Sequence, residues 1–276
     1  MKRKKITSFS NGLVKQTAEI ARRKQRPADA FFVAEGPHLA GAALDASVRV
    51  RELFYTEEFI STITGRALVD RFVRSDPGPE SIIELPAAVF SRMADTETPQ
   101  GILAVVEIRQ TSLKTLNLKG KALLVVCDGI QDPGNLGTMI RVSDAAGADA
   151  VILLPGTCDP YSAKTVRATA GSIFHIPVVY SGQDELRSYL SDKGIKLYAA
   201  DAGAKMSLFE TDLDRACALA FGNEAKGISA FIRNNADFIA GIPIPGKAES
   251  LNAAVSAAIF LYEAVRQRTE ERGFKG

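Results

Sequence analysis

The chain has 276 residues, 46% hydrophobic and 24% charged, enough for one large domain or two ordinary ones with a real core. The opening Met1-Lys2-Arg3-Lys4-Lys5 is not followed by an apolar segment, so a secretory leader is not expected; no apolar run approaches the roughly 20 residues of a membrane helix. The net charge of +2 hides an asymmetry: residues 1–26 carry nine Lys/Arg against Glu19 alone, so that segment is +8 and the remaining 250 residues are −6.

That asymmetry predicts a basic N-terminal arm over residues 1–30, suited to a polyanion, although charge alone would equally fit a solvated tail. Residues 31–108 read as a small alternating α/β domain. A strand at 30–34 leads through Gly36-Pro37 into an amphipathic run to 44, then come a strand at 50–55 and a helix from 57 to about 72. Asp76-Pro77-Gly78-Pro79 breaks the chain, and strands at 82–85 and 102–108 flank a short helix at 87–93. Residues 109–120 have the composition of a linker.

From residue 121 to 276 the pattern is more regular. The apolar run 122–127 has the length and character of a strand buried on both faces. A helix over 135–146 and a strand at 150–154 follow. Further strands are expected at 176–180, 196–200, 216–221 and 238–242, with helices at 162–169, 184–193 and 230–236 and a long last helix over 250–268. Strands alternating with helices place this region in the α/β class with a parallel sheet. Cys127, Cys158 and Cys217 form no C-x-x-C pair, and His38 and His175 are far apart. Neither a metal site nor a disulfide framework is expected, and a reducing cytoplasm fits.

Three loops following apolar strands stand out, at the carboxyl ends where α/β sheets bind ligands. In Asp132-Pro133-Gly134-Asn135-Leu136-Gly137, Asn135 could simply cap a helix. Arg141, two turns on, could be a surface ion-pair residue. In Gly222-Asn223-Glu224-Ala225-Lys226-Gly227 a glutamate projects from a glycine-bounded turn, where it could be a solvated loop acid. In Ile242-Pro243-Ile244-Pro245, alternate prolines forbid a central strand. There Ser250 can cap the last helix, leaving Asn252 in its first turn. Together the loops suggest one composite site. No G-x-G-x-x-G, P-loop, Ser/His/Asp triad or metal cluster accompanies them, which disfavours dinucleotide, covalent and metal-assisted chemistry.

The ordered combination of Asp132-Pro133-Gly134-Asn135-Leu136-Gly137 through Arg141, Gly222-Asn223-Glu224, and Ile242-Pro243-Ile244 with Ser250-Leu251-Asn252 resembles the three motifs of the SpoU (TrmH-type) RNA 2′-O-ribose methyltransferases of the SPOUT superfamily. Upstream, Phe32-Val33-Ala34-Glu35-Gly36 and Thr98-Pro99-Gln100-Gly101-Ile102 resemble the boundaries of that family's L30e-like substrate-binding domain, and Ile6-Thr7-Ser8 with Asn11 and Val14-Lys15 resembles the start of its ribosomal-RNA-directed members. Ala146, where an aromatic is common, and Ala253, where valine is common, depart from the pattern only at packing positions.

The resemblance implies a C-terminal SPOUT domain with a trefoil knot, a homodimer formed through that domain, and S-adenosylmethionine as cofactor. Catalytic roles would fall on Asn135, Arg141, Glu224 and Asn252, and cofactor contacts on Ala200, Phe221, Gly222, Gly227, Ile242, Ile244 and Leu251. RNA contacts are expected from Lys2, Arg3, Lys4, Lys5, Arg22, Arg23, Lys24 and Arg26. The expected reaction is methyl transfer to a ribose 2′-hydroxyl of structured RNA, with 23S rRNA favoured over tRNA and a silent RNA-binding or ribosome-assembly factor as the rival. Guanine N1 methylation by another SPOUT branch fits Arg141 and Ser250-Leu251-Asn252 less well. A guanidinium is a poor base, its pKa exceeding about 12, so Arg141 is expected to stabilise the developing alkoxide or hold a phosphate.

Overall fold

The computed structural model describes residues 3–22 and 30–270, which divide into two compact units. One comprises residues up to 110 together with Tyr161–Phe174; the other comprises Thr111–Pro160 and the chain from His175 onward.

The first unit is built on a five-stranded mixed sheet. In chain order its elements are β1 (Arg3–Lys5), α1 (Gly12–Arg22), β2 (Phe31–Glu35), α2 (Pro37–Asp45), β3 (Val50–Thr56), α3 (Glu57–Ser61), α4 (Ile63–Arg74), β4 (Ser81–Leu85), α5 (Ala87–Met93) and β5 (Ile102–Glu107). The strand order is β1-β4-β3-β5-β2; β1, β4 and β3 run parallel, and β5 is antiparallel to both β3 and β2. The single helix expected from 57 is two, because Thr62 takes an extended conformation and caps α4 by accepting from the Gly65 amide at 3.0 Å.

Residues 3–22 are not a free arm. β1 pairs with β4 over Arg3–Lys5, and α1 buries Val14, Thr17, Ala18, Ile20 and Ala21 against Phe54, Ile83 and Phe90. The apolar stripe of α1 recurs at three- and four-residue spacing, and its burial outweighs the pull of the flanking charges toward solvent. Lys5 pairs with Glu84 at 2.7 Å, Lys4 donates to the Ser81 hydroxyl at 3.3 Å, and Arg22 donates to the Arg92 carbonyl at 3.1 Å. Lys2, Arg23, Lys24 and Arg26 lie outside the described residues.

The second unit carries a seven-stranded sheet in which every pairing is parallel. Its stretch of chain runs β6 (Leu123–Asp128), α6 (Pro133–Ala145), β7 (Ala150–Leu153), α7 (Ala163–Ala168), β8 (Val178–Tyr180), α8 (Gln183–Lys193), β9 (Lys196–Ala200), β10 (Met206–Ser207), β11 (Cys217–Gly222), α9 (Ala230–Asn235), β12 (Phe238–Gly241) and α10 (Ala253–Glu270). The strand order is β10-β12-β9-β11-β6-β7-β8, so β11 and β6 are central and their side chains are buried on both faces as their unbroken apolar runs require. On one face α10 packs against α6 and β11. Its alanines at 254, 257 and 264 are buried and allow close approach, while Phe260 meets Phe221 edge-on at 5.6 Å.

Of the chain between β7 and β8, Tyr161–Phe174, α7 included, belongs to the first unit rather than to the sheet it connects, unlike a division at 109–120 alone. The ring of Phe32 lies 5.1 Å from Tyr161 and 5.9 Å from Phe174, and Arg167 pairs with Asp95 at 2.9 Å. Among the described residues no helix is long and apolar enough to cross a membrane.

Candidate active site

The three loops singled out in the sequence leave the carboxyl ends of strands in one parallel sheet: 129–132 follows β6, 223–229 follows its neighbour β11, and 242–252 follows β12, which β9 separates from β11. Close approach in the second loop depends on glycine. A Cβ on Gly222 would lie 2.2 Å from the Gly227 carbonyl carbon and from the Ile228 nitrogen. The turn closes with the Gly227 amide donating to the Asn223 carbonyl at 2.8 Å, and Gly227 has φ +69°. Asn223 holds the loop from within: its Oδ1 accepts from the Ala225 and Lys226 amides, each at 3.0 Å, and its Nδ2 donates to the Gly129 carbonyl at 2.9 Å.

Asn135 is not the helix cap. Asp132 is, accepting from the Asn135 amide at 2.8 Å with Pro133 in the first helical turn. The Asn135 side chain is thereby released for the site, and its Nδ2 donates to Glu224 Oε1 at 2.8 Å. Glu224 also accepts from the amides of Gln131 and Asp132, both at 3.3 Å. Desolvation alone would raise the Glu224 pKa, but these hydrogen bonds outweigh it and hold the carboxyl below its ordinary value, as an anion.

Ser250 does not cap α10. Asn252 does, its Oδ1 accepting from the amides of Ala254 at 2.9 Å and Val255 at 3.2 Å. The helix starts at Ala253 rather than at 250, since the chain from β12 to Asn252 is an irregular loop with bends at Gly246, Lys247 and Glu249. Capping fixes which end of the amide faces the helix, so Nδ2 is left to donate to Asn135 Oδ1 at 2.9 Å. Asn252, Asn135 and Glu224, from three separate segments, thus form one directed chain of hydrogen bonds.

Beside this chain is a cavity of about 540 Å³, within the range of small-molecule sites. Ala200, Phe221, Gly222, Gly227, Ile242, Ile244 and Leu251 all line it, as do Glu224 and Asn252. The lining joins apolar side chains and loop backbone, which suit a flat heterocycle with a few polar edges, to several polar and charged side chains. Arg141 stands apart. It is exposed, it does not line the cavity, and its side chain makes no hydrogen bond or ion pair among the described residues. Six residues of helix place it about 9 Å along α6 from Asn135.

Asp201 and Arg233, which also line the cavity, escaped the sequence reading. Asp201 follows β9 directly, pairs with Arg233 of α9 and accepts from the Gly203 amide at 2.8 Å. Burial opposes its ionisation, but these donors prevail and its pKa lies below the ordinary value. The available signal was position: an acid immediately after a predicted strand of a parallel sheet. Among the described residues no group of three or more His, Cys, Asp or Glu is placed to hold a metal ion.

The SpoU rRNA methylase family model matches residues 122–262, and an MRM3-like substrate-binding domain matches 11–104. The chain is 36% identical over 259 residues to the 23S rRNA (guanosine(2553)-2′-O)-methyltransferase RlmP of Bacillus subtilis, covering 94% of this chain and 98% of that protein. It is 31% identical to the 23S rRNA (uridine(2479)-2′-O)-methyltransferase of Streptomyces viridochromogenes, covering 98% and 94%. Among solved structures, the AdoMet-bound rRNA methyltransferase from Sinorhizobium meliloti superposes with a TM-score of 0.84 at 31% identity, covering 96% of this chain and 98% of that one.

Proposed function

This chain belongs to the SpoU rRNA methylase family, and from that premise we propose that it transfers a methyl group from S-adenosylmethionine to a ribose 2′-hydroxyl of 23S rRNA. The observation that carries the reading is the hydrogen-bonded chain Asn252–Asn135–Glu224 beside the cavity. Relatives covering almost all of this chain are named for ribose methylation of 23S rRNA, one on guanosine and one on uridine. The ribose is their common feature, and the 2′-hydroxyl is the group that marks RNA apart from DNA.

The cavity lining fits the cofactor: Phe221, Ile242, Ile244 and Leu251 supply apolar surface for the adenine, and the loop backbone at Gly222 and Gly227 supplies polar edges. The bound cofactor supplies a methyl group made electrophilic by its sulfonium. The chain's own residues must orient the 2′-hydroxyl, ease the loss of its proton and exclude water. Glu224 and Asn252, fixed through Asn135, position the ribose. We assign stabilisation of the alkoxide, or a hold on the adjoining phosphate, to Arg141 from the family motif it matches, although it lies outside the cavity of this chain, about 9 Å along α6 from Asn135.

α10 leaves Val255 and Tyr262, one heptad apart on the same face, 47% and 53% exposed, and this is the surface we assign to a second copy of the chain. We assign RNA contacts to Lys2, Arg3, Lys4, Lys5, Arg22, Arg23, Lys24 and Arg26 from their charge, and we read the loops around the cavity as the threaded core of a trefoil. Three free cysteines suit a cytoplasmic setting.

Mapping 2′-O-methyl groups in RNA from cells with and without this protein tests the assignment. Loss of a methyl group from 23S rRNA is expected. Loss from tRNA alone, or unchanged RNA, would overturn it.

A further inference from the structure

The cavity has four charged side chains in its lining: Asp201, Glu224, Lys226 and Arg233. Glu224 is drawn toward the loop after β6 by Gln131, Asp132 and Asn135. Asp201 follows β9, and the sheet order β9-β11-β6 sets β11 between the two acids. The cavity therefore has one acid committed to the proposed ribose-positioning network and another, with its own guanidinium, on the far side of β11.

A carboxylate beside a guanidinium is the complement of an α-amino acid, which presents an ammonium and a carboxylate on one carbon. S-adenosylmethionine carries such a group at the end opposite its adenine. A ribose diol would satisfy Asp201 alone and leave Arg233 without a task. Asp201 is held in place by the Gly203 amide at 2.8 Å and its side chain is only 19% exposed, whereas Arg233 is 52% exposed and free to reorient. Neither residue touches the Asn252–Asn135–Glu224 chain in any hydrogen bond among the described residues.

We propose that Asp201 and Arg233 form the subsite for the amino-acid end of the cofactor, Asp201 accepting from the α-ammonium and Arg233 donating to the α-carboxylate. The pair selects the intact cofactor over nucleoside fragments that lack the amino acid. The proposal rests on the assignment of the cavity to S-adenosylmethionine, and its test separates the two.

Calorimetric titration with S-adenosylhomocysteine and with 5′-methylthioadenosine, which keeps the nucleoside and thioether but lacks the amino acid, distinguishes the roles. In Asp201→Asn and in Arg233→Gln, affinity for S-adenosylhomocysteine should fall about tenfold or more, the scale of a lost charge-assisted hydrogen bond. Affinity for 5′-methylthioadenosine should stay within about twofold of wild type, and this unchanged binding also shows that the cavity has kept its shape. Equal weakening of both ligands would overturn the proposal, because the pair would then hold the nucleoside or the loops. Unchanged binding of both would overturn it as well. Failure of the unsubstituted protein to bind either ligand would remove the cofactor assignment itself.

Discussion

Replacing Gly222 by alanine probes the loop architecture at its tightest point. The added Cβ would sit 2.2 Å from two backbone atoms and 2.3 Å from the Gly227 oxygen, where ordinary contact needs about 3.5 Å, so something must yield by about 1.3 Å. β11 cannot recoil, because Gly222 is in register with Asp128 and the strand is paired along both edges. Ile228 is buried in the core of the same unit. The turn at 223–227 takes the displacement, and it carries Glu224 and borders the cavity. Overpacking of this kind costs about 1–3 kcal/mol of stability, which lowers Tm by several degrees. A misplacement of about 1 Å at reacting groups costs about 100-fold in rate. Gly222→Ala should therefore remain folded by circular dichroism, bind S-adenosylhomocysteine at least about tenfold more weakly, and lose about 100-fold in kcat. Binding and turnover within twofold of wild type would refute the reasoning.

Asn135→Ala removes a donor to Glu224 and an acceptor for Asn252, both near the surface. Stability should fall by no more than about 1–2 kcal/mol, and kcat by roughly 100-fold with cofactor affinity little changed. A variant at full kcat would show that the hydrogen-bonded chain is idle. The lowered pKa of Glu224 gives a stabilising contribution that is present above its unfolded value of about 4.3 and is lost as pH falls through the lower folded value. The stability gap between wild type and Glu224→Gln should accordingly close on acidification, and a gap constant down to pH 2 would contradict this. Burial pushes the thiol pKa of Cys127 up strongly and those of Cys158 and Cys217 to about 11. At pH 8 all three should resist iodoacetamide, with half-buried Cys158 labelled first by mass spectrometry. Rapid labelling of Cys127 in the folded protein would mean that its site opens.

Local pattern revealed most of the fold that positions the site. The unbroken apolar run of β6 announced a strand buried on both faces, that of β11 announced a strand, and the alternate prolines 243 and 245 kept β12 from running further. Features set by packing at a distance were harder to read. The charges around α1 masked its apolar stripe, although Leu13-Val14, Thr17-Ala18 and Ile20-Ala21 spell a helix face. Nothing local shows that Tyr161–Phe174, so far along the chain, packs with Phe32 in the first unit. The caps were misplaced by a few residues because Asp132 and Ser250 compete with neighbouring asparagines as cap formers, and backbone geometry decides between them. That shift matters chemically, since capping by Asp132 frees Asn135, and capping by Asn252 orients its amide. Asp201 and Arg233 meet only once β9 and α9 are folded side by side.

The central claim is tested most directly with purified protein, S-adenosylmethionine labelled in its methyl group, and 23S rRNA as substrate. A methyl group on a ribose 2′-oxygen protects the adjoining phosphodiester from alkaline hydrolysis. The account predicts label in alkali-resistant dinucleotides, abolished by Arg141→Ala. Label released as mononucleotides methylated on the base, or no transfer to RNA by protein that binds S-adenosylhomocysteine, would contradict it.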